Sequence, residues 1–186
     1  MSRRVIVLLM AAACALLAAG CGNKQDITTH AATEGTYVDV GPLKYQVQIS
    51  RLLNPNDAED RGYLIDLPAG QRLTGQDQWF AVFMLVQNNG SKGEKAADSY
   101  VIRDTQGNEF HPIVFGPKNV FAYRDGTVVQ GDSTLPLPES PAGQNSIQGA
   151  LLLFKIPTGD FENRPLELEI TSSAAPGKRA TIDLDV

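Results

Sequence analysis

Cysteine is scarce in this chain: two in 186 residues, Cys14 and Cys21. Both lie near the N-terminus, so no pair remains to staple the rest, and stability has to come from a packed core. Histidine is equally scarce, with only His30 and His111, too few for the usual zinc ligand set. Met84 is the single methionine beyond the first ten residues, which excludes copper carriage by clustered soft ligands. Positive charge is in deficit, with 16 basic against 21 acidic residues and a net charge of −5. Without Arg3 and Arg4 the remainder carries fourteen basic and twenty-one acidic groups, or −7. A surface of that sign repels nucleic acid and anionic polymers. Long apolar runs are missing after the first twenty residues, which excludes a helical multi-spanning membrane protein. No Gly-x-Ser-x-Gly, Ser-x-x-Lys or His-Glu-x-x-His occurs, so nucleophilic and zinc hydrolysis lack their usual carriers. What is present is ordinary globular composition, 42% apolar and 20% charged, at a length suited to one domain.

The N-terminus reads as an export signal. Arg3 and Arg4 precede the apolar run from Val5 to Leu17, and Ala18-Ala19-Gly20-Cys21 follows. This end resembles the bacterial lipoprotein signal, in which the Cys is acylated and becomes the first mature residue. The match covers Leu17 to Cys21 and departs from it once, with Ala18 where Leu is most usual. Ala11-Ala12-Ala13-Cys14 is a rival site that would leave too short an apolar stretch. The resemblance implies residues 1–20 as signal peptide, lipid attachment at Cys21 through a diacylglyceryl (palmitate-type) group, and a location on the outer side of the cytoplasmic membrane. Ser2-Arg3-Arg4 also resembles the twin-arginine motif, but the strongly apolar run favours general secretion. Residues 21–36 are polar and aperiodic and are expected to be a tether, with the folded domain over 37–186.

From Tyr37 onward the pattern is strand after strand. Leu43, Tyr45, Val47 and Ile49 alternate with Lys44, Gln46, Gln48 and Ser50. Short strands are expected over 62–67, 78–87, 99–103, 109–114, 148–156, 166–170 and 181–186, with a hairpin turn at Asp104–Asn108. Helical spacing is absent apart from one possible turn at 119–123. About eight short strands predict an all-β fold, an immunoglobulin-like antiparallel β-sandwich.

Three ordered segments carry a resemblance: VFMLVQNNGSK, SYVIRDTQGNEFHP and GALLLFKIP. They resemble the landmarks of a bacterial extracytoplasmic domain family of unknown function, with a telokin-like, immunoglobulin-type sandwich often placed behind a lipoprotein signal. The likeness covers Trp79 to Pro157 and implies an accessory domain without known catalysis. In its logic Gly90 and Gly107 supply positive φ in turns and Pro157 ends a strand. The stretch 54–76 is longer than a minimal sandwich needs and reads as an insertion.

Two strands are apolar on both faces. Phe80, Val82, Met84 and Val86 are expected to point into the sandwich, which turns Trp79, Phe83 and Leu85 outward, beside Leu151 and Leu153 if the strands are neighbours. These five form a candidate interaction face, to be covered either by the 54–76 insertion or by a partner. Asn54, Asn56, Asp57, Glu59 and Asp60 gather oxygen atoms that could hold calcium, although solvated turns use the same residues. His111 is expected to be structural and His30 to lie in the tether; no cofactor is expected. The expected function is a non-catalytic, lipid-anchored binding module of the cell envelope, with an envelope protein or a second copy as partner and no nucleic acid. The alternative is an envelope carrier or sensor that binds a metal ion or small molecule through its loops.

Overall fold

A computed structural model describes residues 27–184. The signal segment, Cys21 and Asp185 lie outside the described residues. The described chain is a β-sandwich of twelve strands, four of them only two residues long. One sheet runs β1 (His30–Ala31), β12 (Arg179–Leu184), β11 (Leu166–Thr171), β6 (Ser99–Arg103), β7 (Glu109–Phe110). The other runs β10 (Ala150–Pro157), β4 (Asp77–Asn88), β3 (Leu43–Leu53), β2 (Val38–Val40), and β9 (Ser133–Leu135) pairs with the far end of β4. A small ribbon joins β5 (Glu94–Lys95) to β8 (Val128–Val129). No helix among the described residues is long and apolar enough to cross a membrane.

Alternation sets the main core. Phe80, Val82, Met84 and Val86 of β4 face Leu168, Ile170 and Ile182 of the other sheet, and all are fully buried. Leu43, Tyr45 and Val47 join them, but the expected fourth residue does not. A bulge between Val47 and Ile49 shifts the register, so every later side chain of β3 changes face. Ile49 is therefore 37% exposed, while Ser50 is buried and bonded through its amide and hydroxyl to Glu34. Burial pushes the Tyr45 hydroxyl up to about 12, although the Ala97 amide donates to it, so it stays neutral at physiological pH.

Several expectations need correction. The tether is shorter than its composition suggests, because the chain is docked by Thr28, whose amide donates to Asp39 Oδ2 at 2.9 Å. His30 and Ala31 then form β1, parallel to β12. Backbone hydrogen bonding to a sheet edge satisfies polar residues that lack any apolar period. The strand expected at 62–67 does not form: the stretch begins as the end of a helix, α1 (Ala58–Tyr63), and continues as a turn. Asp57 caps it by accepting from the amides of Glu59 (2.8 Å) and Asp60 (3.2 Å). The 119–123 stretch is not a helical turn but lies beside β10, bridging at Ala122. The Asp104–Asn108 turn forms as expected, with Gly107 at φ 86° and Asp104 Oδ1 accepting from Gln106 and Asn108. Gly90 is not a positive-φ residue; its carbonyl instead accepts from Asp132.

Candidate functional site

The second face of β4 and β10 builds a core of its own. Leu151 stands opposite Phe83 and Leu153 opposite Ala81, so the two strands present one continuous apolar surface. Trp79, Phe83, Leu151 and Leu153 are nonetheless at most 3% exposed. The insertion covers them with Tyr63, Leu64, Leu67 and Leu73, and the 111–124 loop adds Phe115 and Phe121. These four residues are therefore a buried core and not an interaction face. Water exclusion by the chain itself stabilises each large side chain by roughly 1.5–3 kcal/mol.

Polar locks hold the cover in place. The Tyr63 ring meets Phe83 and Phe121 edge-on, with centroids 5.0 Å apart in both pairs. Its hydroxyl accepts from the Asn145 amide at 2.6 Å. Buried Asn119 donates to the carbonyls of Tyr63 and Ile65 at 2.9 Å and accepts from the amides of Phe121 and Ala122 at 3.0 Å. Arg124 donates to the carbonyls of Phe115, Gly116 and Asn119. At Gly116 the insertion comes so close that an added Cβ would meet Asp66 Oδ2 at 2.2 Å. The loop also completes the sheet edge, since Ile113 and Tyr123 donate to β10 and Leu151 donates to Phe121. Composition offered no sign of Asn119 or Arg124; only the apolar Ile113, Phe115 and Phe121 within a Gly- and Pro-rich stretch hinted at buried structure.

The acidic loop is occupied with its own fold. Asp57 caps α1, Asn54 Oδ1 accepts from Asn56, and Asp60 takes Arg51 together with the Asn54 amide. Glu59 lies 3.4 Å from the Ser146 hydroxyl. Burial pushes the Asp60 carboxyl up, but the Arg51 guanidinium and the Asn54 amide outweigh it and hold it below the usual carboxylate range. Asn54 Oδ1, Asp57 Oδ1 and both Asp60 oxygens are thus taken by protein donors. His111 is exposed at the end of β7, 3.9 Å from Glu109.

Leu85 alone of the five face residues stays half-exposed. It lines a groove of about 420 Å³ with Pro136, Pro138, Gly143, Gln144 and Gln148. A second hollow of about 270 Å³, lined by Gln48, Ile49, Ser146 and Ile147, shares Gln148 with it. No charged side chain lines either hollow, in a protein where a fifth of the residues are charged. The bulge in β3 is what turns Ile49 toward this surface.

No protein-family model matches the chain, and no curated protein does either. Among solved structures the chain is similar to the yjhA protein from Bacillus subtilis, at 10% identity and a TM-score of 0.53, over 83% of this chain and 99% of that one. It is similar to a functionally unknown protein from Listeria monocytogenes, at 9% identity and a TM-score of 0.50, over 84% of both chains. An uncharacterized β-sandwich protein from Clostridium difficile aligns over 88% of this chain and 99% of that one, at 10% identity and a TM-score of 0.47. At such identities the likeness is one of fold alone.

Proposed function

We propose that the protein is a non-catalytic interaction module of the bacterial cell envelope, lipid-anchored through Cys21 on the outer side of the cytoplasmic membrane. In this reading its sandwich is of the telokin-like, immunoglobulin type. The observation that carries the proposal is the uncharged double groove around Leu85, Gln148 and Ile49. Its apolar walls and amide groups suit an uncharged segment of a protein partner, which would supply apolar side chains and hydrogen-bonding backbone. The anchor reading rests on the lipoprotein-like signal. Only six residues separate Cys21 from Thr28, which is bonded to the sandwich, and the seven steps between them reach at most roughly 25 Å. A domain so closely tethered meets partners at the membrane surface.

Two variants test the two halves. Cys21→Ser is expected to lose metabolic palmitate labelling and to leave the membrane fraction. A labelled, membrane-bound variant overturns the anchor. A photo-crosslinker at Gln148 is expected to give one discrete protein adduct in cells, lost on Leu85→Asp while the melting temperature moves by no more than about 2 °C. Absence of any adduct, or an adduct indifferent to Leu85, overturns the groove.

A further inference from the structure

The outer face of the first sheet carries a group of side chains that the groove does not involve. β1 lies parallel to β12 with His30 opposite Thr181, and β11 lies antiparallel on the other side with Glu167 opposite Asp183. The three strands bring one ligand atom each from His30, Glu167 and Asp183 within 4.8 Å of one another. Nδ1 of His30 sits 3.0 Å from the Thr181 hydroxyl, which ties the ring to the sheet. β1 is itself held there by backbone bonding, Thr181 donating to the Thr29 carbonyl at 2.9 Å.

The charge arrangement around this group is unbalanced. Two carboxylates directly opposite each other on neighbouring strands repel. In the adjacent row Glu169 takes both Arg103 (3.0 Å) and Arg179 (3.4 Å). Arg103 stands opposite Glu167 in register, yet its guanidinium goes to Glu169 and Glu109. Among the described residues no ion pair and no hydrogen bond falls on the Glu167 or Asp183 carboxylate. The pair has no cationic partner among the described residues, and an imidazole stands within 4.8 Å of both carboxylates.

We infer that His30, Glu167 and Asp183 form a binding site for a divalent transition-metal ion of the zinc class, which clamps β1 to the sheet. A neutral imidazole and two carboxylates neutralise a dication, and the nitrogen ligand selects zinc, nickel or copper over calcium and magnesium. Bonds of about 2.1 Å set tetrahedral ligands about 3.4 Å apart. The observed spacing closes to that through small side-chain rotations, in which the exposed His30 ring trades its single Thr181 contact for the ion. One or two coordination positions are left to water or to a donor from another molecule. The ion would add a side-chain tie between the two-residue β1 and the last strand, which are now joined by backbone pairing and the His30–Thr181 contact.

Titration of the full-length protein in detergent with ZnCl2, followed by calorimetry, is expected to show one site per chain that CaCl2 and MgCl2 do not fill. His30→Ala and Glu167→Gln are each expected to weaken that site at least 10-fold while melting like the parent protein in EDTA. Zinc is expected to raise the hydrogen-exchange protection of the His30 and Ala31 amides in the parent protein and not in His30→Ala. With CuCl2, electron paramagnetic resonance is expected to report a single imidazole nitrogen that vanishes in His30→Ala. Zinc binding of equal strength in both variants, or no site filled below millimolar zinc, overturns the inference.

Discussion

The two sheets turn very different outer faces to their surroundings. Outside the first sheet stand Arg103, Glu167, Glu169, Arg179 and Asp183, ion-paired or facing solvent, with apolar residues only on the inner side of β11 and β12. Outside the second sheet stand Trp79, Ala81, Phe83, Leu151 and Leu153, dry beneath an insertion and a loop. A strand with one wet face needs only the opposite sheet for its core. A strand that is apolar twice needs a second layer, and in this chain local segments of irregular structure supply it. Such a layer depends on few backbone ladders and on a handful of side-chain locks, so it is expected to be the softer of the two cores.

The largest expected effect comes from cutting that second core directly. Phe83→Ser should cost about 3–5 kcal/mol, whereas Arg179→Ala on the wet face should stay within about 0.5 kcal/mol. Urea melts of both variants check the contrast, and a near-neutral Phe83→Ser would mean that the cover is not packed. Next comes the polar lock. Asn119→Ala strips partners from the buried Tyr63 carbonyl, the part-buried Ile65 carbonyl and two amides and should cost about 1–3 kcal/mol. Trp79, the chain's one tryptophan, sits in the second core and reports on it alone. In Asn119→Ala its emission should shift red at lower urea than the loss of far-ultraviolet β signal; coincident transitions would mean that the two cores unfold as one.

The smallest expected effect is that of acid. The Asp60 carboxyl is held below its ordinary value in the fold, so its contribution is present above the unfolded pKa of about 3.9 and is lost as pH falls through the lowered folded value. Below about pH 4 the Arg51–Asp60 pair that braces α1 should therefore loosen, and Trp79 fluorescence should change before the main core responds. Asp60→Asn should flatten that acid limb. A variant with the same acid profile as the parent would assign the limb to other carboxylates.

Period-two alternation was enough to recognise the sandwich, because burial of one strand face writes itself directly into the sequence. The double apolarity of Phe80–Val86 and Ala150–Ile156 likewise announced that something must cover a second face. It could not say what. Tyr63 and Phe121 meet only after the chain has returned from positions more than fifty residues apart, and no local pattern encodes such a meeting. α1 was illegible for a related reason: a six-residue helix has almost no period, and its Asp57 cap reads equally well as a turn.

The sequence by itself determined the class of fold, the interior set on β4 and the need for a second layer, since each follows from the preference of apolar side chains to leave water. The tertiary structure alone decided which side of β3 Ile49 takes, because one bulged residue inverts the faces beyond it. It also decided that Trp79, Phe83, Leu151 and Leu153 are interior and Leu85 is not, because the cover ends short of Leu85. And it carried His30 out of a polar, aperiodic segment to the side of Glu167 and Asp183. That placement depends on backbone pairing between residues about 150 positions apart, and backbone hydrogen bonds leave no mark on the choice of side chain.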